Sequence, residues 1–267
     1  MQSLNITLIQ SNLYWEKKQK NIDAFSRHIE SIEQKTDIIM LPEMFATGFT
    51  MNATQCFETM DGNIVKWMLD MAGKKNAAVC GSLIIKENNK FYNRFIWAEA
   101  NGNMQHYDKA HLFRMGDEQQ YYSSGSSRIM IEYCGWRIAP FVCYDLRFPV
   151  WLKRSEEYDY DLMLIVANWP ERRNMHWKVL SQARAIENQC FLVALNRVGY
   201  DGNGIYHSGD SSVYSPMGEL MLNQSHDEVV KTITIDKQAV TDYRKIFPVH
   251  ADNDKFVFTA NGNAKNQ

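Results

Sequence analysis

The residues of this chain best suited to covalent chemistry are Cys143, Glu43 and Lys109. Cys143 sits in FVCYDLRFP (141–149), where an apolar run breaks into charged and aromatic side chains. A thiol in that setting can act as a nucleophile once a base removes its proton and a nearby cation or dipole steadies the charge. Glu43 ends the apolar run DIIMLPE (37–43), and Lys109 opens DKAHLFRMGDEQQYYSSGSS (108–127), a loop composition dense in charge. Each also has a plainer reading. Most free cysteines are small buried hydrophobes, a glutamate after a strand can cap a turn, and most lysines are solvated. His106, His111, His176 and His207 compete as the base, because cysteine hydrolases commonly pair the thiol with imidazole. Spacing alone leaves that choice open.

The elements that must hold these groups alternate between strand and helix patterns. LNITLIQ (4–10) alternates like a half-buried strand, and Ile22, Phe25, Ile29 and Ile32 recur at helical spacing within 15–35. Strand 37–41, helix 61–75 and strand 76–85 follow, which is an α/β pattern. Two alternating segments flank Asn101-Gly102 in 90–107, a strong hairpin signal. RIMIEY and WRIAPFV form a second hairpin about Cys134-Gly135 and deliver Cys143 to a strand end. DLMLIVANW (161–169) reads as a buried strand, 174–189 as a helix with Trp177, Leu180, Ala183 and Ile186 on one side, and CFLVALNR (190–197) as a strand. SSVYS, a strand pair ending in VVKTITID and a last helix in KQAVTDYRKIF bring the strands to about ten. Glu43, Lys109 and Cys143 then all fall at strand ends, so parallel or adjacent strands can gather them at one sheet edge, where open α/β sheets place their sites.

Composition narrows the partners. A net charge of -2 and a pI near 6.4 supply no basic field for nucleic acid and no polybasic patch for a membrane, so a small molecule is the expected partner. The five cysteines are scattered without a C-x-x-C pair, which suggests neither a disulfide framework nor a zinc knuckle and fits a reducing cytoplasm. MQSLNITLIQ lacks the basic and apolar regions of a signal peptide, and no apolar run reaches the length of a membrane span. With no H-E-x-x-H motif and no tight His/Asp cluster, no metal and no other cofactor is expected. One domain over 1–267 is expected, with 248–267 as a tail that has no periodic pattern apart from the apolar FVF at 256–258.

LPEMFATGF (41–49), YDKAHLF (107–113) and CYDLRFP (143–149), in this order and separation, resemble the three signatures of the nitrilase, or carbon-nitrogen hydrolase, superfamily. The likeness continues through ANW (167–169), RAIENQ (184–189) and HSGDSSVYSPMGE (207–219), so that it spans nearly the whole chain. The resemblance implies a four-layer α/β/β/α sandwich, a homodimer or larger assembly with the tail at a subunit interface, and a Glu-Lys-Cys triad on Glu43, Lys109 and Cys143. EQQYYSSG (118–125) matches the family's second glutamate more loosely, at Glu118, which would position Lys109 or substrate. CYDLRFPVW, MFATGF and HLFRMGDE resemble the ω-amidase branch, which implies hydrolysis of the terminal amide of a small 2-oxo dicarboxylic acid monoamide of the 2-oxoglutaramate or 2-oxosuccinamate type, through a cysteine thioester. Such a substrate calls for a cation, and Arg147, Arg172 and Arg173 are the candidates, with Phe45, Tyr144 and Trp169 as pocket walls. The alternatives are a deaminated glutathione amidase, whose signatures are similar, and a non-catalytic binding protein of the same fold, whose expected mark, a missing triad member, is not found.

Overall fold

The computed structural model describes residues 2–258. Strand β1 (Ser3–Gln10), helix α1 (Lys18–Glu30), β2 (Ile38–Met40), the short α2 (Ala53–Cys56), α3 (Asn63–Lys75) and β3 (Ala78–Glu87) open the chain. The hairpin β4 (Lys90–Ala98) and β5 (Met104–Asp108) turns at Gly102, whose φ of +90° is the left-handed conformation that glycine adopts without strain. A one-turn helix α4 (Glu118–Tyr121) follows, then the hairpin β6 (Ile131–Tyr133) and β7 (Trp136–Val142), α5 (Pro149–Leu152), β8 (Leu162–Ala167) and α6 (Asn174–Asn188). The chain continues through β9 (Phe191–Asn196), β10 (Val198–Tyr200), β11 (Tyr206–Tyr214), β12 (Leu220–Ser225), β13 (Val229–Asp236) and α7 (Lys237–Ile246). Thirteen strands among the described residues exceed the ten expected, because the glycine- and serine-rich stretch after β9 pairs as well as turns.

The strands form two sheets. One runs β13-β1-β2-β3-β4-β5, the other β10-β11-β9-β8-β7-β6, with β12 also paired to β11. The pleat explains how they stack. Leu4, Ile6 and Leu8 of β1, Ile38 and Met40 of β2, and Ala78 and Cys80 of β3 share a core with Ile138 and Phe141 of β7 and Leu162 to Ala167 of β8. The alternate residues Ile9, Ile39 and Val79 face the other way, onto Phe25 and Ile29 of α1 and Val65 and Met68 of α3. Trp177 and Ala185 carry α6 onto the second sheet. The result is the α/β/β/α sandwich, and none of its described helices is long and apolar enough to cross a membrane.

Two sequence expectations fail here for physical reasons. The inner side of α6 is Trp177, Ser181, Arg184, Ala185 and Asn188, while Ile186 is 46% exposed. Hydrophobic periodicity misses this face because three of its five residues are polar. Arg184 Nε donates to the Leu146 carbonyl at 3.1 Å, and Asn188 Oδ1 accepts from Arg154 N at 2.9 Å, so part of the inner stripe serves backbone groups beside the apolar contacts of Trp177 and Ala185. The second correction is Phe45, expected as a pocket wall. It is fully buried among Phe25 and Trp67 in the helix-side core of the first sheet, and does not line the cavity described below. Of the tail 248–267, residues to Phe258 lie on their own chain, with Phe258 4.9 Å from the Trp151 ring and under the Arg128 guanidinium; 259–267 lie outside the described residues.

Candidate active site

Glu43, Lys109 and Cys143 come together, but from two sheets rather than from one edge. Glu43 follows β2 and Lys109 follows β5 in the first sheet, while Cys143 follows β7 in the second. Between β2 and β5 stand β3 and β4, and the gap is bridged by the length of the lysine side chain and by the loops that leave each strand. Lys109 remains registered to β4 through its N–H, which donates to the Asn93 carbonyl at 3.0 Å. Cys143 begins a 3-10 turn, Cys143–Arg147, with φ +45°. A left-handed non-glycine residue at a strand end is strained by about 1–3 kcal/mol and persists only where its surroundings hold it.

Lys109 Nζ lies 2.9 Å from Glu43 Oε1 and 3.0 and 2.9 Å from the two oxygens of Glu118. All three side chains are at most 1% exposed. Two carboxylates facing one ammonium in a dry site keep the lysine charged: despite burial, Glu118 and Glu43 push the Lys109 ammonium above its usual range. Burial pushes the Glu118 carboxyl up, with Lys109 opposing. The ammonium has three protons and meets three carboxylate oxygens, so release of one of the two Glu118 bonds frees a proton for a reacting oxygen. Its outer side faces the Phe49 ring at 5.1 Å.

The thiol of Cys143 is pushed well above its usual range by burial first and by the Glu43 carboxylate second, with Lys109 opposing. Raised from a value already above neutrality, the thiol favours its S–H form. Glu43 itself is held on every side. Its Oε1 accepts from Asn93 Nδ2 at 2.8 Å and its Oε2 from the Asn168 N–H at 2.7 Å. Asn93 is oriented in turn by Ser82 Oγ at 2.8 Å, the same hydroxyl that accepts from Met44 N. A fixed, buried carboxylate beside a protonated thiol has the geometry of a general base.

The competing histidines take other roles. His111 pairs with Asp145 at 2.8 Å and stacks on Phe148 at 3.7 Å, His176 lies 3.1 Å from Arg147 Nη2, and His106 is exposed on β5. His207 lines the cavity, and burial, helped by the Arg197 guanidinium, lowers it to about 4. Its folded value lies below its unfolded 6.5, so the neutral imidazole stabilises the fold above pH 6.5, and that contribution is lost as pH falls toward 4. The loss should reach roughly 3 kcal/mol at pH 4. Urea unfolding of His207→Gln is expected to show a correspondingly flatter loss of stability between pH 7 and 4.5 than the parent. An unchanged slope would remove His207 as the cause.

The thiol opens onto a cavity of about 460 Å³. Tyr144, Arg147, Trp169, Arg172 and Arg173, all expected at a substrate pocket, line it. Arg147 stacks on Trp169 at 4.7 Å and Arg173 on Phe113 at 5.3 Å. Burial, then Arg172 and Arg147, lower the Arg173 guanidinium from its usual value. Arg94, Arg137, Arg154, Arg184 and Arg244 are ion-paired; among the described residues the three cavity arginines have no carboxylate partner. Trp169 is set by Asn196, which accepts from its N–H at 2.8 Å and donates to its carbonyl at 2.9 Å.

The sequence model of the carbon-nitrogen hydrolase family matches residues 5–245. The chain belongs to the carbon-nitrogen hydrolase family. It is 44% identical to the "Omega-amidase YafV" of Escherichia coli strain K12 over 257 residues, 96% of this chain and 99% of that protein. It is 32% identical to the "2-oxoglutaramate amidase" of Bacillus subtilis over 250 residues, 92% and 96% of the two chains. Among solved structures, the CN-hydrolase superfamily protein XC1258 of Xanthomonas campestris, determined with an arsenic adduct in its active site, superposes with a TM-score of 0.95 at 41% identity, covering 97% of this chain and all of that one. In this carbon-nitrogen hydrolase, Asn93, Ser82, Asn168, Asn196 and Phe49 escaped the sequence reading. Asn168 and Phe49 had a signal, the ANW and LPEMFATGF strings; a buried asparagine elsewhere in a strand looks like any other polar interruption.

Proposed function

We propose that this chain is an ω-amidase that releases ammonia from the terminal amide of a small 2-oxo dicarboxylic acid monoamide such as 2-oxoglutaramate. The observation that carries the reading is one cavity holding both the Glu43-Lys109-Cys143 cluster and three guanidiniums without carboxylate partners. The E. coli and B. subtilis relatives, by their names an omega-amidase and a 2-oxoglutaramate amidase, support it. In this reading Glu43 takes the thiol proton as Cys143 Sγ attacks the amide carbon. The tetrahedral oxyanion forms against Lys109 Nζ and a backbone N–H beside Cys143, donors worth about 10²–10³-fold each. Glu43 returns the proton to the nitrogen, ammonia leaves, and a thioester remains. Glu43 then deprotonates a water that attacks the thioester, and the thiol re-forms with the dicarboxylate product. Glu118 keeps Lys109 charged and aimed.

The substrate carboxylate is assigned to Arg173, which is half-buried, lines the same cavity as Cys143 and is disfavoured as a cation by burial and by its two arginine neighbours. An anion there removes that repulsion, and guanidinium matches carboxylate in a two-bond fork. Ammonia release from 2-oxoglutaramate should exceed that from deaminated glutathione in kcat/KM, and Arg173→Gln should raise KM for 2-oxoglutaramate by about 10–100-fold, the worth of one charged hydrogen-bonded contact, with little change in kcat. Preference for deaminated glutathione, or no release from either, rejects the reading.

A further inference from the structure

Asp145 lies two residues beyond Cys143, is fully buried, and takes no part in the chemistry above. Its two oxygens are shared between both halves of the site. Oδ2 accepts from the Val142 N–H at 3.1 Å, the residue just before Cys143, and from the Tyr107 hydroxyl at 2.8 Å. Oδ1 accepts from the His111 N–H at 3.0 Å and from His111 Nδ1 at 2.8 Å. Tyr107 and His111 stand two residues before and two after Lys109. The Tyr107 hydroxyl completes the tie by accepting from the Ala110 N–H at 3.2 Å and from Trp151 Nε1 at 2.9 Å. His111 stacks on Phe148 beyond the cysteine turn, and Arg184 holds the same turn from below through the Leu146 carbonyl. One buried carboxylate thus joins the loop that carries the nucleophile to the loop that carries the lysine, and these loops leave different sheets.

Resting on the amidase reading, we infer that Asp145 is a positioning residue for this reaction: it holds Cys143 in its left-handed conformation and fixes the distance from Cys143 to Lys109. No other carboxylate accepts backbone N–H groups from both loops among the described residues. A carboxylate is required because each of its oxygens accepts two hydrogens. In Asp145→Asn one oxygen becomes an NH₂ donor, which faces either the His111 N–H or the Val142 N–H, so that one loop loses its anchor whichever way the amide turns. Misplacement of reacting groups by about 1 Å costs on the order of 10²-fold in rate.

Three measurements on the full chain test the inference. In Asp145→Asn, kcat for 2-oxoglutaramate should fall about 10²-fold while KM stays within about 3-fold. Alkylation of Cys143 by iodoacetamide, followed by mass spectrometry of its own peptide, should slow about tenfold at pH 7 and change its pH profile, because the thiol no longer meets Glu43 in register. Tyr107→Phe keeps the Val142 and His111 bonds and frees the Ala110 N–H and Trp151 Nε1, leaving the Val142 anchor of Cys143 in place, so kcat should drop about tenfold with Cys143 alkylation unchanged. Alkylation requires no amide, so it reports on Asp145 even if the substrate assignment fails. A folded Asp145→Asn protein with parental kcat and parental alkylation, differing only in melting temperature, overturns the inference. If Asp145→Asn does not fold, Tyr107→Phe decides alone: parental kcat overturns the positioning role and a tenfold loss at constant KM supports it.

Discussion

Replacing Cys143 with alanine is expected to abolish ammonia release, with kcat falling by on the order of 10⁶-fold, as removal of a nucleophile does elsewhere, while the protein stays folded. The size of the loss follows from the balance of the reaction. Without Sγ there is no thioester, and a direct attack by water on the amide must proceed with only the oxyanion donors and Glu43 to help. The small effect on stability follows from the thiol's surroundings. It rests protonated, disfavoured as a thiolate by burial and by Glu43, so its removal leaves no charge without a partner. Alanine adopts a φ near +45° no more easily than cysteine does, and losing one buried sulfur costs about 1 kcal/mol or less, which shifts Tm by about 2–4 °C in a chain of this size. The measurements are ammonia release, a thermal melt, and calorimetric binding of 2-oxoglutaramate, which the variant should still bind. Retained turnover would remove Cys143 as the nucleophile.

Lys109→Ala should lose activity and stability together, which separates it from the cysteine variant. Glu43 and Glu118, both fully buried, would face each other without the cation between them. Breaking a buried ion pair from one side costs about 3–5 kcal/mol, and loss of the oxyanion donor costs about 10²–10³-fold in kcat. The pH dependence has a definite sign. Burial already raises Glu118, with Lys109 opposing; without the lysine its folded value rises further above the unfolded one. A group so raised favours the folded state at low pH and loses that contribution as pH rises through its folded value, so the variant should be less destabilised at pH 5 than at pH 8. Adding Glu118→Gln should restore part of the stability and none of the activity. Urea unfolding at the two pH values, beside the ammonia assay, checks all of this, and a variant equally stable at both would contradict the charge argument.

The sequence by itself determined the alternation that builds an α/β sandwich, because strand and helix periods survive in local order: Ile38 and Met40 against Ile39, or Ile22, Phe25 and Ile29, state which face is which. It also offered Glu43, Lys109 and Cys143 as candidates, since a charged or thiol side chain at the end of an apolar run stands out locally, while Arg147, Arg172 and Arg173 entered only through the substrate that the family resemblance implies. Tertiary structure decided what depends on partners distant in the chain. It placed Cys143 on one sheet and Glu43 and Lys109 on the other, sent Phe45 into the core, and turned a polar stripe of α6 inward because Arg184 and Asn188 serve backbone groups of other loops. It also made Asp145 the tie between two loops through hydrogen bonds spanning 3 to 38 residues. Periodicity records whether a side chain leaves water. It does not record which buried polar atom another will meet, and that pairing sets the site's geometry and the pKa directions that follow from it.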